Sequence, residues 1–218
     1  MRPGHLTAVV LLFACCLCVT ACKHTKVEPN AIETMHNGSL AVENGAEIAN
    51  SFYVDVQGQT RGMDGIVAAT EAKLRLGGYE ITNNPSEAGH ILHLNILHSG
   101  ACNANDLRIA VAAGYGNSLH LGSGSGSGDD ATGLVADALL VQRRIPTHKR
   151  PSFVRLKNIS NRNAVGNSQM RFGLLLPSGT QNLPPAFVEV LSRELATALQ
   201  SPTQAPRPRQ GDGQGQAR

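Results

Sequence analysis

Apolar and polar residues alternate along "SFYVDVQ" (Ser51–Gln57), and Gly58 closes the run. A period of two puts successive side chains on opposite faces, so this segment predicts a strand. In "GMDGIVAATEAKLRLGGY" the period lengthens: Met63, Ile66, Val67, Thr70 and Leu74 recur at helical spacing, and Gly77-Gly78 supply the left-handed residue that helix ends favour. Tyr79 to Thr82 predicts a second strand and "NNPSEAG" a turn. "HILHLNILHS" (His90–Ser99) predicts a third strand with Leu92, Leu94 and Ile96 on one face. "SFVRLKNI" and "QMRFGLLL" (Gln169–Leu176) read as strands four and five. "LPPAFVEVLSRELATALQ" closes the pattern as a helix with Pro185 at its start and a core stripe of Phe187, Val190, Leu191, Leu195 and Leu199. The order predicts an α+β domain over 51–200, a small, mostly antiparallel sheet with flanking helices.

One stretch interrupts this pattern. "LRIAVAAGYGNSLHL" and "ATGLVADALLVQ" are two arms rich in small and apolar residues, separated by "GSGSGSGDD". Read as an inserted hairpin over 107–142, its apolar positions are Leu107, Ile109, Val111, Leu119, Leu121, Leu134, Val135, Leu139 and Leu140. Helical arms would span about 22 Å and about 18 Å, short of a hydrocarbon core of roughly 30 Å. Arg108, His120 and Asp137 add cost in lipid. Two readings stand: a mobile surface excursion, or arms that pack closely through alanine and glycine and build an assembly. On the second, the hairpin sits in or at the membrane and drives oligomerisation, while the domain folds without it.

The candidate chemistry is sparse. His93 lies an odd number of places from His90 and His98 on the predicted strand, and the latter two stand roughly 26 Å apart, so no metal site forms there. The strictly alternating glycine-serine run cannot supply a G-x-S-x-G elbow, and "GYGNSL" lacks the third glycine of a dinucleotide fingerprint. No nucleophile–base pair emerges, so neither catalysis nor a cofactor is expected. The basic run "RRIPTHKRPSFVRLKN" is either a solvated face or a contact for lipid phosphates. Lys and Arg number 19 against 16 acids, tryptophan is absent and aromatics make up 4%, which excludes a polyanion binder and a nucleic-acid stacking platform.

Four of the five cysteines fall between Ala14 and Lys23. They do not form a disulfide framework or a zinc pattern. Arg2, His5 and the apolar run "LTAVVLLFACCLCV" read as an export signal over 1–21, ending in Val19-Thr20-Ala21-Cys22. A branched residue, two small residues and cysteine form a bacterial lipobox. Cys22 is then the lipidated N-terminus, and Cys15, Cys16 and Cys18 are small hydrophobes in a discarded helix. Two or more acyl chains, at about 0.8 kcal/mol per buried methylene, hold such a protein stably. Lys23 in place of aspartate favours the outer membrane. Residues 22–50 read as a tether, and 201–218, rich in proline, glutamine, glycine and arginine, as a disordered tail.

Lipobox, tether, "FYVDVQ", amphipathic helix, "GGYEITNNPSEAGHILHLNIL", a glycine-alanine-rich hairpin ending "GLVADALL", strands and a final helix occur in that order. This order resembles the TraT complement-resistance and surface-exclusion lipoproteins of conjugative plasmids, over roughly Ser51 to Gln200. The resemblance implies a homo-oligomeric, lipid-anchored, surface-exposed outer-membrane protein. Such a protein meets mating-cell surfaces or complement components and works by masking rather than catalysis. The chain departs from the family in its shorter, interrupted arms and in its tail. The alternative function is a periplasm-facing outer-membrane lipoprotein that acts as an adaptor or regulator of an envelope enzyme.

Overall fold

The computed structural model describes residues 27–42, 48–58, 61–119, 121, 130–144, 164–177 and 182–200. The predicted signal peptide, Cys22, the glycine-serine tip, the predicted strand in "SFVRLKNI" and the predicted tail lie outside the described residues. After a 3-10 turn at Pro29–Ala31 the elements are β1 (Glu33–Ser39), β2 (Ser51–Gly58), α1 (Ile66–Leu76), β3 (Glu80–Ile81) and β4 (His90–Asn103). They continue with α2 (Ala104–Ala112), β5 (Asp130–Arg143), β6 (Ala164–Leu176) and α3 (Ala186–Leu199). The fold class is α+β, as the periodicities predict. Six strands form one sheet in the order β1-β6-β5-β4-β2-β3. β2 pairs in parallel with β3 and β4, and the other three pairings are antiparallel.

One face of the sheet carries the main core. Phe52, Val54, Leu92, Leu94 and Ile96 meet Ile66 and Leu74 of α1 and the predicted stripe of α3, all buried. Because β2 and β4 are parallel neighbours, the chain must cross over between them, and α1 is that crossover. Gly78, at φ 88°, makes the left-handed turn after α1, and the Tyr79 N–H then donates to the Leu74 carbonyl at 3.1 Å.

The structure corrects the inserted hairpin. Its second arm is β5, a strand with neighbours on both sides, and Leu134, Val135 and Leu140 are each 0% exposed. β5 is covered on both faces, so it shows no alternation, and a continuous apolar run cannot be told from a buried helix by period alone. The first arm does begin as a helix, α2, but that helix lies on the opposite sheet face rather than projecting from the domain. Its residues Leu107 and Val111 join Cys102, Ala131, Val135 and Leu175 in a second core. Small residues serve this contact. A Cβ on Gly133 would meet Leu107 Cδ1 at 2.2 Å, and one on Gly173 would meet Val111 Cγ2 at 2.4 Å. The glycines let a helix sit on its own sheet, whereas the sequence reading assigned small residues to contacts between subunits.

Two further expectations change. The tether contains an edge strand, β1, which pairs with β6 from Glu33↔Leu175 to Ser39↔Gln169. Its residues are almost all exposed, so it has no apolar period to reveal it. In β4, Ile96 pairs with Ala136 and His98 with Val135, so Leu97 is an extra residue. This bulge turns His98 to the face of His93, away from His90, contrary to the simple alternation assumed for an unbroken strand.

Two outcomes follow from the packing. Replacing residues 107–142 with a glycine-serine loop deletes an inner strand, and we expect the product to lack a cooperative urea transition; a folded monomer would contradict the topology. Thr70 is fully buried and its hydroxyl has no hydrogen-bond partner among the described residues. Thr70→Val is therefore expected to raise stability by about 1 kcal/mol in urea unfolding.

Candidate functional site

The sheet face under α2 holds the polar machinery of the domain. At the end of β4 the Asn103 side chain accepts from the N–H groups of Asn105 and Asp106 at 2.9 and 3.2 Å and so starts α2 directly from the strand. Leu107, Ala110 and Val111 point down onto the sheet, while Ile109 points away and is 60% exposed. Arg108 reaches β1 and donates to Glu33 at 2.8 Å, and this hydrogen bond, opposed by slight burial, holds the Glu33 carboxyl below its ordinary range.

Beneath the end of α2 lies a buried ion pair. Arg171 on β6 and Asp137 on β5 are direct cross-strand partners. Arg171, with no solvent exposure, donates from Nε to Asp137 Oδ1 at 2.6 Å and from Nη2 to Oδ2 at 2.9 Å. Its Nη1 donates to the Ala110 carbonyl at 3.0 Å and its Nη2 to the Asn117 carbonyl at 2.9 Å. The Gly116 N–H donates to Asp137 Oδ2 at 3.0 Å. A bidentate pair with these extra bonds compensates for desolvation and ties the helix and its following loop to the sheet. Tyr115 lies beside it, and burial, with the Asp137 charge as the smaller cause, pushes its phenol up.

Further along the same face is a half-open polar band. His93 Nδ1 lies 3.0 Å from Asp55 Oδ2, and Gln57 Nε2 donates to the same oxygen at 2.8 Å. The His93 and Asp55 side chains are 31% and 27% exposed. Tyr53 and Leu139 flank the pair half-buried, and Asn95 is exposed. With Nδ1 turned to a carboxylate, the imidazole keeps Nε2 as its second polar atom, an arrangement suited to binding a polar partner. No group of three or more metal-ligating side chains occurs among the described residues. Cys102 is buried under α2, and burial, helped by Asp106, pushes its thiol up to about 11, so it stays protonated.

Of the nine apolar positions predicted in the hairpin, Leu107, Val111, Leu134, Val135 and Leu140 are buried in the domain's own cores. Leu119, Leu121 and Leu139 are half-buried, and Ile109 is exposed. Sequence reasoning missed both ionic features. Asp137 and Arg171 lie far apart in sequence, and each resembles a single charge in an apolar run; such a charge within a continuously apolar segment is itself a signal of a buried partner.

No protein-family model and no curated protein matches the chain. Among solved structures, a PelC dodecamer from Paraburkholderia phytofirmans is similar at 12% identity, with 78% of this chain and 98% of that chain covered and a TM-score of 0.40. A DUF4136 family protein from Bacteroides thetaiotaomicron is similar at 10% identity, with coverages of 77% and 92% and a TM-score of 0.29.

Removing one member of the buried pair leaves the other charged and desolvated. Arg171→Met alone is expected to destabilise the domain by about 3–5 kcal/mol in urea unfolding. Adding Asp137→Leu to that variant should recover most of the loss, because both buried charges are then gone. A double variant as unstable as the single one would mean that the carbonyl contacts, rather than the pair, carry the effect.

Proposed function

We propose that the chain is an outer-membrane lipoprotein, anchored through Cys22, whose α+β domain acts by binding rather than by catalysis. The observation that carries the anchor is the lipobox Val19-Thr20-Ala21-Cys22 behind an apolar run of signal length. Lipid at Cys22 would hold β1, the first strand of the sheet, close to the membrane. No helix among the described residues is long and apolar enough to cross a membrane. The half-open band of Tyr53, Asp55, His93 and Asn95 supports a binding role, because it presents polar groups beside a rigid sheet.

The ordered motifs that resemble the TraT lipoproteins support surface masking, in mating exclusion or serum resistance, by an oligomer of such chains. A second reading is a periplasm-facing adaptor of an envelope enzyme. It is favoured by the burial of Leu134, Val135 and Leu140 inside the sheet, which removes them as lipid-facing residues.

Two measurements test these readings. Cys22→Ser should abolish labelling by radioactive palmitate and release the protein from the membrane fraction, since a hydroxyl cannot form the thioether; retained label would overturn the anchor. Protease added to intact cells should degrade the full-length chain if it masks the surface. Degradation only after the outer membrane is permeabilised would select the adaptor.

A further inference from the structure

His90 opens β4 on the main-core face and is 2% exposed. Its ring stacks on Phe52 with centroids 4.7 Å apart and planes 10° from parallel, and the Tyr79 ring meets it edge-on at 6.5 Å. Phe52 and Tyr79 are themselves in edge contact at 4.7 Å. Among the described residues, neither nitrogen of His90 has a hydrogen-bond partner. The backbones of Ser51 and Ala49 lie near enough to favour a cation, but outside hydrogen-bonding geometry, and burial outweighs them. An imidazole is an unusual filler for this place, because an apolar ring would stack equally well without two unsatisfied polar atoms.

The corner around this ring is lightly held. β3 contributes only two residues to the sheet, paired with Ser51 and Phe52. The Glu80 and Thr82 N–H groups donate to the Asn50 and Phe52 carbonyls at 3.0 and 2.9 Å. The Tyr79 hydroxyl donates to the Leu199 carbonyl at 3.3 Å, which links the corner to the last turn of α3.

We propose that His90 makes this corner an acid-operated latch: with the ring neutral, Tyr79 and β3 close over it, and when the ring takes a proton the aromatic stack opens and β3 leaves the sheet. Among the described residues, a charged ring between these two aromatic side chains has no carboxylate in hydrogen-bonding contact. Tyr79 is the titratable side chain in contact with it, and burial pushes that phenol up, so it stays neutral. Glu80 on β3 and Glu87 in the preceding turn are exposed, and neither hydrogen-bonds the ring. Arg143 on β5 is directed to the Pro85 carbonyl at 2.6 Å. Gln142, the cross-strand partner of His90, donates to the Ala41 carbonyl at 2.7 Å.

The direction of the pH effect follows from burial. The closed state holds the imidazole below its ordinary value of 6.5, so below that pH the open state binds more protons. Closure is therefore complete above about pH 6.5 and weakens as the pH falls. Opening would also release Leu199, and with it the end of α3.

Native-state hydrogen exchange on the full chain tests the latch. Between pH 7.0 and 5.5, protection factors for the Glu80 and Thr82 amides are expected to fall by up to about tenfold, with the Leu94 amide in the inner strand unchanged. His90→Phe should remove the pH dependence while keeping the stack, and His90→Gln provides a second non-titrating variant should phenylalanine overfill the site. His98 is half-buried, and burial holds it below its ordinary value, so His98→Gln serves as the control and should retain the full drop. Equal loss at Leu94, a flat profile in the unsubstituted chain, or an unchanged drop in both His90 variants would each overturn the latch.

Discussion

The guanidinium of Arg171 is shielded from bulk solvent, and much of the architecture on its side of the sheet follows from that. A cation so placed must be matched by an anion and by further acceptors, or its desolvation outweighs what packing gains. Asp137 supplies the anion from the adjacent strand, and the carbonyls of Ala110 and Asn117 supply the rest. Those carbonyls belong to the end of α2 and to the loop beyond it. The pair therefore fixes where the helix ends and where the chain turns back, which neither apolar contact nor helix propensity would specify alone.

Close approach completes what the ion pair begins. α2, nine residues long, makes about two and a half turns and has little intrinsic stability, so it depends on tertiary contact. Gly133 and Gly173, on neighbouring strands, leave the hollows that receive Leu107 and Val111. With the helix seated there, Cys102 is enclosed and the first part of β5, Ala131 to Val135, is covered on that side. The other side is sealed by α1 and α3. What remains open is the polar band around Asp55 and His93, between the α2 cover and the turn that packs Ala88 against Ile91 and Val141. The bulge at Leu97 matters here, because it returns β4 to the α2 face with the phase that puts Leu97 and Cys102 into the second core.

The sequence by itself determined the elements whose two faces differ. α1, β2, β3 and α3 are legible because each buries one side and exposes the other, so burial writes a period into the chain. Residues 90–96 of β4 follow the same rule up to the bulge at Leu97, whereas residues 170–176 are buried throughout and only their apolar run marks them. The proposed lipidation of Cys22 is equally local, since a lipobox is read as a contiguous string. Only the tertiary structure decided the rest. β5 is buried on both faces and β1 on almost none, so neither carries a period, and one resembled a membrane arm and the other a tether. The face of His98 depends on a single extra residue in a ladder, visible only once β4 and β5 are paired. Asp137 and Arg171 became a site for the same reason: their meaning lies in a cross-strand contact, and a linear pattern records which side of an element is wet but not which distant residue lies beside it.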